Sequence, residues 1–392
     1  MSAAPLHLAV ALDGAGWHPA AWRDPAATPK TLFTAAYWAG LVAEAEHGLL
    51  DFVTIEDSLA LQTTRLDGAD GRTDQVRGRF DAVLVASRVA PLTRRIGLVP
   101  TVTTTHTEPF HVASALSTLD YVSAGRAGWR VQISGRRAEA AHFGRRDIPE
   151  LRPDSFDRPE SVRLIQELFD EAADAVEVVR RLWDSWEDDA VIRDVATGRF
   201  VDRDKLHHID FEGPRFSVRG PSIVPRPPQG QPPVTALAHS RIPYEFAARS
   251  TDVVHVTPHD GEQARAVVRE IRGLAPGPLK VLADLVVFLG QDAGERRARL
   301  DGLDGAVHAS DAAIFAGTPE QLADLLLDWR RAGLDGFRLR PAVLPADLSA
   351  ITRGLVPELR RRGVFRRAYE AATLRGHLGL PRPAGRYAGS RR

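Results

Sequence analysis

Short apolar runs alternate repeatedly with longer helical patterns along this chain, and this alternation limits the folds open to it. Eight runs have the near-continuous apolar character of strands buried in a parallel sheet. They lie at residues 6–12, 51–56, 95–102, 127–133, 233–238, 252–257, 279–289 and 335–340. The helical patterns lie at or near 31–48, 79–90, 109–123, 161–185, 242–249, 260–273, 292–300 and 318–332. Eight βα units predict an α/β fold, a (β/α)8 TIM barrel, with a doubly wound open sheet as the alternative.

The chain has 392 residues and is longer than a barrel of roughly 250 residues, so insertions are expected. One lies after the second strand, at about 58–78, and is polar and rich in Gly, Asp and Arg. Another lies between the fourth helix and the fifth strand, at about 186–232, and is rich in Pro and Gly. Loops of this length in compact enzymes are usually functional. We expect one barrel domain over 1–392, with a loose tail from about residue 380.

Composition excludes several classes of function. Lys plus Arg and Asp plus Glu each number 51, which gives no support for a nucleic-acid partner. There is no cysteine, so thiol nucleophiles, thiolate metal sites and disulfides are excluded. The sequence shows no signal peptide and no apolar run of about 18 residues, so we expect a cytoplasmic protein without a membrane partner.

Common catalytic motifs are also missing. There is no HExxH or other metal-ligand spacing, no GxSxG elbow and no GxxxxGK[ST] loop. Gly14 and Gly16 follow a predicted strand, but Pro19 occupies the third glycine position of the dinucleotide fingerprint. These absences predict no metal site and disfavour hydrolase, P-loop and Rossmann functions.

Polar residues follow nearly every predicted strand, which in a barrel places them at the C-terminal face, where active sites lie. In chain order they are Asp13, Trp17 and His18; Glu56 and Asp57; Thr101, Thr103, Thr104, Thr105 and His106; Arg130 and Ser134; His239, Ser240 and Arg241; His259 and Asp260; and Arg338 and Arg340. Arg338 and Arg340 suit either an acidic group of a substrate or salt bridges in the core. This pattern by itself predicts only an enzyme with a polar barrel mouth.

Longer segments resemble the bacterial-luciferase-like flavin monooxygenases, in the branch of nitrilotriacetate, dibenzothiophene-sulfone and long-chain alkane monooxygenases. Besides the segment around Asp57, they are GWHPAAWR (16–23), TVTTTHTEPF (101–110), STLDYVSAGRAGW (117–129), VVRRLWDSWEDDAVIRD (178–194), FEGPRFSVRGP (211–221), AGLDGFRLRP (332–341) and VPELRRRGVFRRAYEAATLRGHLGLPRP (356–383). The matches are collinear and cover nearly the whole chain.

The resemblance implies a two-component, FMN-dependent monooxygenase and a homodimer. Reduced FMN comes from a separate NAD(P)H-dependent flavin reductase, and O2 is the co-substrate. In that family O2 adds to the reduced flavin, and the C4a-(hydro)peroxyflavin oxygenates a small organic substrate. The protein orients the cofactor and keeps water away.

The resemblance also assigns roles to single residues. Asp57 matches an acidic position beside the flavin ring, and Thr101 matches a hydroxyl position near the isoalloxazine. Ser240 matches the serine of a phosphate-binding turn. His18 matches the second member of a His pair close to the oxygen chemistry, which makes it the catalytic candidate, although Trp17 replaces its expected neighbour.

Three positions depart from the family pattern. Arg130 stands where the family usually has Asn, and Ile165 and Phe169 stand where it has a His and a Tyr that hold the cofactor. Each lost hydrogen bond to a charged group weakens binding by about 1.5–3 kcal/mol. Arg130 or Arg241 can supply a replacement, because a guanidinium suits phosphate.

The predicted cofactor-binding set is therefore Asp57, Thr101, Arg130, Ser240 and Arg241. Two alternatives remain open: an oxidoreductase that uses a deazaflavin coenzyme, and a degenerate, non-catalytic barrel subunit.

Overall fold

The computed structural model describes residues 5–151 and 153–388. Its strands are β1 (His7–Leu12), β2 (Phe52–Ile55), β3 (Gly97–Thr103), β4 (Trp129–Gln132), β5 (Val191–Asp194), β6 (Arg199–Val201), β7 (Phe211–Glu212), β8 (Ser217–Val218), β9 (Val234–Ala238), β10 (Val253–Val256), β11 (Lys280–Leu289), β12 (Ala313–Gly317) and β13 (Gly336–Pro341). Its α-helices are α1 (Ala35–His47), α2 (Ala82–Val89), α3 (Pro109–Val122), α4 (Arg137–Phe143), α5 (Pro159–Asp184), α6 (Arg241–Ser250), α7 (Gly261–Leu274), α8 (Ala293–Asp304), α9 (Pro319–Arg330), α10 (Ala346–Ala350), α11 (Val356–Arg361) and α12 (Leu374–His377).

Eight parallel strands close into a ring in the order β1–β2–β3–β4–β9–β10–β11–β13, and β13 pairs back to β1. Closure through the β10–β11 and β1–β13 pairs excludes the doubly wound open sheet and confirms the TIM barrel. The eight predicted strands are the eight strands of the ring. Strand β12, which was not predicted, adds to β11 outside the ring.

The eight predicted helices are α1, α2, α3, α5, α6, α7, α8 and α9, and their ends follow local capping chemistry. The side chains of Thr34 and Asp260 accept N-terminal N–H groups of α1 and α7. At α9, Thr318 and Gln321 form a reciprocal capping box. Helix α4, which follows β4 directly, was not predicted, yet it contributes to the cavity described below.

The insertion at 186–232 contains two antiparallel hairpins, β5–β6 and β7–β8. Arg226, which follows the second hairpin, is buried and pairs with Asp184 and Asp188 at 3.0 Å each. The insertion at 58–78 is irregular and is held by Arg72, which contacts Asp304 at 2.9 Å. Both insertions are thus tied to the barrel by charge pairs.

The expectation of a loose tail from residue 380 does not hold for residues 380–388. The side chain of Leu380 is buried, Arg382 contacts Asp188 at 2.9 Å, and Arg386 contacts Glu177 at 2.8 Å. Contacts of this kind between segments far apart in sequence leave no periodic signal. Residues 389–392 of that predicted tail lie outside the described residues.

The main apolar core lies between the sheet and the helices, while the barrel interior holds charged side chains. On β13, Phe337 and Leu339 belong to the apolar core. Arg338 and Arg340 alternate with them and pair with the carboxylate of Asp284 on β11. Because successive side chains of a strand point to opposite faces, these arginines face the barrel axis. Within the described residues, no helix is long and apolar enough to cross a membrane.

Candidate active site

A cavity of about 690 Å3 opens at the carboxyl ends of β1, β2 and β4, the face predicted to carry the active site. Loop 58–78 forms much of its wall, and Glu139 of helix α4 also lines it. Its charged lining residues are the carboxylates Asp13, Glu56, Asp57, Asp67, Glu139 and Asp311 and the arginines Arg79 and Arg136. The cavity is therefore polar and rich in negative charge.

A network of buried ion pairs lies in the barrel beside this cavity. The guanidinium of Arg338 donates to Asp284 (Nε–Oδ1, 2.9 Å) and to Glu56 (Nη1–Oε1, 3.1 Å). Arg340 donates to Asp284 (Nε–Oδ2, 2.8 Å) and to Asp311 (Nη2–Oδ2, 3.0 Å). Both arginines are almost fully buried, which supports the salt-bridge interpretation of these two residues.

The structure brings Arg130 and Thr101, two of the predicted cofactor-binding residues, into direct contact. The Nη1 atom of Arg130 lies 3.2 Å from the Thr101 hydroxyl and 3.0 Å from Glu56. Burial raises the pKa of Glu56, but the charges of Arg130 and Arg338 outweigh it, so the net shift is downward and Glu56 is ionised. The Nε–H of Arg130 is buried and has no partner among the described residues.

Asp57 lines the cavity next to Glu56 in sequence. One oxygen accepts the N–H of Ser58 at 2.7 Å, and the other accepts the N–H of Ala82, the first residue of α2, at 2.9 Å. Burial raises the pKa of Asp57, and these two backbone bonds only partly oppose the rise. No arginine, lysine or histidine forms an ion pair with Asp57 within the described chain.

His18, the catalytic candidate, is buried beside α8, and the cavity wall is formed instead by its neighbour Trp17. Its Nδ1 accepts the N–H of Ala20 at 3.1 Å, so Nε2 carries the proton and donates to Asp301 at 3.0 Å. Burial lowers the pKa of His18, which favours this neutral form. Both ring nitrogens are therefore engaged by protein groups, and a catalytic role for His18 stays a prediction.

Trp17 covers part of the ion-pair network. The Arg340 guanidinium lies over its ring, 4.4 Å from the centroid, and the indole N–H donates to the carbonyl of Ala11 at 2.9 Å. An indole fixed in this way shields the network from solvent at the cavity floor.

Ser240 and Arg241, predicted to bind the phosphate, begin α6 and lie outside the cavity wall. Both are exposed, and the Ser240 hydroxyl makes no capping bond. Arg241 is paired with Glu245 at 2.5 Å and with Glu270 at 3.5 Å. On the adjacent α5, Phe169 packs edge-to-face on Phe246 of α6, with ring centroids 5.6 Å apart.

Six charged residues of the site were missed by sequence reasoning: Asp67, Arg79, Arg136, Glu139, Asp284 and Asp311. Asp284 had a signal, because it is a lone charge inside the apolar run LKVLADLVVFL. The other five lie in segments where charged residues are common, so nothing in the sequence distinguished them. In the described residues no cluster of His, Cys, Asp or Glu side chains has the geometry to hold a metal ion.

Comparison with known proteins adds independent information. A sequence profile for luciferase-like monooxygenases matches residues 16–307. The N-acetyl-S-(2-succino)cysteine monooxygenase of Bacillus subtilis is 31% identical over 98% of each chain. Component A of nitrilotriacetate monooxygenase from Aminobacter aminovorans is 31% identical over 94% of this chain and 95% of its own. The structure of riboflavin lyase with modified FMN and riboflavin is similar with a TM-score of 0.80, at 25% identity over 98% of each chain.

Proposed function

This chain belongs to the luciferase-like monooxygenase family, and we propose that it is a two-component enzyme using reduced FMN and O2 on a small organic substrate. Its substrate and reduced FMN together take up O2, and the products are the oxygenated substrate, oxidised FMN and water. The observation that carries the proposal is the polar cavity at the carboxyl ends of the strands. Asp57 lines that cavity, and the contacting pair Thr101 and Arg130 lies in the barrel beside it.

The barrel end of the site fits a flavin ring. The cavity of about 690 Å3 has room for a tricyclic ring system together with a small substrate. Two buried polar groups on neighbouring strands, the Nε–H of Arg130 and the hydroxyl of Thr235, have no partner among the described residues. Buried polar groups are normally satisfied, and a flavin ring that extends from the cavity into the barrel would bring carbonyl and ring-nitrogen atoms to these two, which lie beside the cavity lining.

The residues at the phosphate end of the proposed site fit FMN less well. The N-terminus of α6 and the free hydroxyl of Ser240 suit an anion. Ile165 and Phe169 cannot donate the hydrogen bonds of the family's His and Tyr, and the charge of Arg241 is shared with two glutamates. We propose that Ser240 and the N-terminus of α6 hold the phosphate, and that Arg241 contributes only a long-range electrostatic attraction.

Reduced FMN, when bound, would supply the two electrons that activate O2, so that one oxygen atom of O2 enters the substrate and the other leaves as water. The residues of the chain orient the cofactor and the substrate and shield them from water. The ion pairs of Glu56 with Arg130 and Arg338 hold these charged groups in fixed positions beside the cavity, so they need not reorganise during reaction. Trp17 covers Arg340 next to these ion pairs, and His18 holds the loop that carries Trp17 through its bonds to Asp301 and Ala20.

We also propose that the protein is a homodimer in the cytoplasm and that a flavin reductase supplies it with reduced FMN. Exposed apolar side chains on and around α2, namely Phe33, Phe80, Leu84 and Leu92, form a surface for a second copy, and Leu84 is 70% exposed. The Leu84→Glu variant should sediment as a monomer. If the wild-type protein sediments as a monomer at micromolar concentration, this assembly is wrong.

The deciding experiment is anaerobic titration with reduced FMN, followed by O2 uptake with NADH and a flavin reductase. Binding of reduced FMN and substrate-dependent O2 uptake would support the proposed enzyme. The departures at Ile165 and Phe169 favour one competing function, a degenerate binding subunit. Absence of binding up to about 1 mM, equivalent to about 4 kcal/mol, would favour that function, or a deazaflavin enzyme if that coenzyme binds instead.

A further inference from the structure

One carboxylate of the cavity has a buried oxygen atom that receives no hydrogen bond from the described residues. Glu139, on α4, is 2% exposed, and its Oε2 atom has no hydrogen-bond partner among the described residues. Its other oxygen accepts the Ser58 hydroxyl at 2.9 Å. The nearest guanidinium, that of Arg136, lies 3.7 Å from that same Oε1 atom, beyond hydrogen-bond distance. A buried carboxylate oxygen without a donor is costly unless a ligand supplies one.

Ser58 links Glu139 to a second carboxylate. Its backbone N–H donates to Asp57 at 2.7 Å, while its hydroxyl donates to Glu139. Asp57 receives only backbone N–H groups and forms no ion pair among the described residues. We call this wall of the cavity, formed by Asp57, Ser58 and Glu139, the acidic wall.

The other carboxylates of the cavity are balanced by the protein. Glu56 and Asp311 pair with buried arginines, and Asp13 faces Arg79 at 3.4 Å. Asp67 accepts the first N–H groups of α4. Among the described residues, Glu139 is the cavity carboxylate that has a buried oxygen without a donor, and its ion pair with Arg136 spans 3.7 Å.

We propose that the acidic wall binds a positively charged nitrogen of the organic substrate, an ammonium or amidinium group, and that Glu139 determines this specificity. This inference rests on the proposed function, because it takes the bound ligand to be the substrate of the monooxygenase. A metal cation is a poorer occupant, since no group of three metal-ligating side chains occurs in the described chain. A polycarboxylate such as nitrilotriacetate, named for the similar Aminobacter enzyme, would be repelled by this wall.

The test uses the flavin-free, full-length protein and two probes of similar shape and opposite charge, benzylammonium and benzoate, followed by calorimetry or ligand-observed NMR. Benzylammonium should bind at least about tenfold more tightly than benzoate. The variant Glu139→Gln keeps the shape of the side chain and removes its charge, and should abolish this preference. The control Glu370→Gln removes an exposed carboxylate that does not line the cavity and should leave it unchanged.

Equal affinity for the two probes, a preference for benzoate, or no binding of benzylammonium below about 10 mM would overturn the proposal. So would an unchanged preference in folded Glu139→Gln. If that variant does not fold, Ser58→Ala serves instead, since it removes the bond that orients Glu139, and it should reduce the preference several-fold. The measurement needs neither flavin nor O2, so a failure of reduced-FMN binding would count against the proposed function and leave this result standing.

Discussion

Arg338 and Asp284 form a two-bonded ion pair inside the barrel, with Nε–Oδ1 at 2.9 Å and Nη2 on the second oxygen. Neither side chain has measurable exposure, and Arg340 contacts the same carboxylate. A charge pair at this depth contributes little net stability, but removing one partner leaves a buried charge. The first prediction follows from that asymmetry.

Arg338→Met should lower the free energy of unfolding by about 3 kcal/mol, the lower end of the usual range because Arg340 still contacts Asp284. Urea denaturation measures the change. The matched control is Arg331→Met, which removes an exposed arginine paired with Asp328 at 3.3 Å and should cost less than about 1 kcal/mol. Similar losses in both variants would contradict the role of burial.

Asp51 should make the fold sensitive to acid. Burial raises its pKa, but the charges of His7 and Arg366 more than compensate and hold it at about 2, below the ordinary value of 3.8. The pKa of Asp51 is lower in the folded protein than in the unfolded chain, so ionised Asp51 stabilises the fold. This stabilisation is complete above the unfolded-state pKa and is lost as the pH falls through the folded-state pKa. Between about pH 5 and pH 2 the wild type should lose about 2 kcal/mol through this group.

In Asp51→Asn that part of the acid loss should disappear, although the variant is less stable at neutral pH. Denaturation curves recorded at a series of pH values provide the measurement. Asp147→Asn, at an exposed position, should keep the wild-type slope. If the stability of Asp51→Asn falls with decreasing pH as steeply as that of the wild type, other groups are responsible for the loss of stability in acid.

Restoring the family's donors should tighten cofactor binding. The double variant Ile165→His, Phe169→Tyr should bind reduced FMN at least about a hundredfold more tightly, because each of the two donors to a charged group adds about 1.5–3 kcal/mol. Anaerobic titration gives the affinity. Gln166→His places the same imidazole one residue further along α5, on a different face, and should bind like the wild type. An equal gain from Gln166→His would mean that added positive charge, rather than position, is responsible.

His18→Gln distinguishes a positioning residue from a proton-transfer residue. Losing the bond to Asp301 should lower stability by about 1 kcal/mol and reduce kcat, with the shape of the kcat/KM pH profile unchanged. His259→Asn, at an exposed position after β10, is the control. Disappearance of one limb of the pH profile in His18→Gln would instead support the catalytic role predicted from the family resemblance.

The eight barrel strands were predictable because burial imposes an apolar pattern that is local in sequence. Glu56 and Asp57 could be placed at the barrel mouth because the carboxyl end of a strand is also a local property. The closed ring could not be distinguished from an open sheet by periodicity, since both require buried parallel strands. The pairing of β1 with β13 decided between them, and it joins residues more than three hundred positions apart.

Local patterns along the chain were sufficient to predict the eight βα units, the family and the polar mouth. Contacts between distant segments became visible only in the structure: which charges neutralise each other, that protein groups engage both ring nitrogens of His18, and that Glu139 faces Ser58 across 81 positions. The physical reason is that secondary structure and burial depend on neighbouring residues along the chain. Charge pairing and desolvation depend on distances that exist only once the strands have closed into a ring.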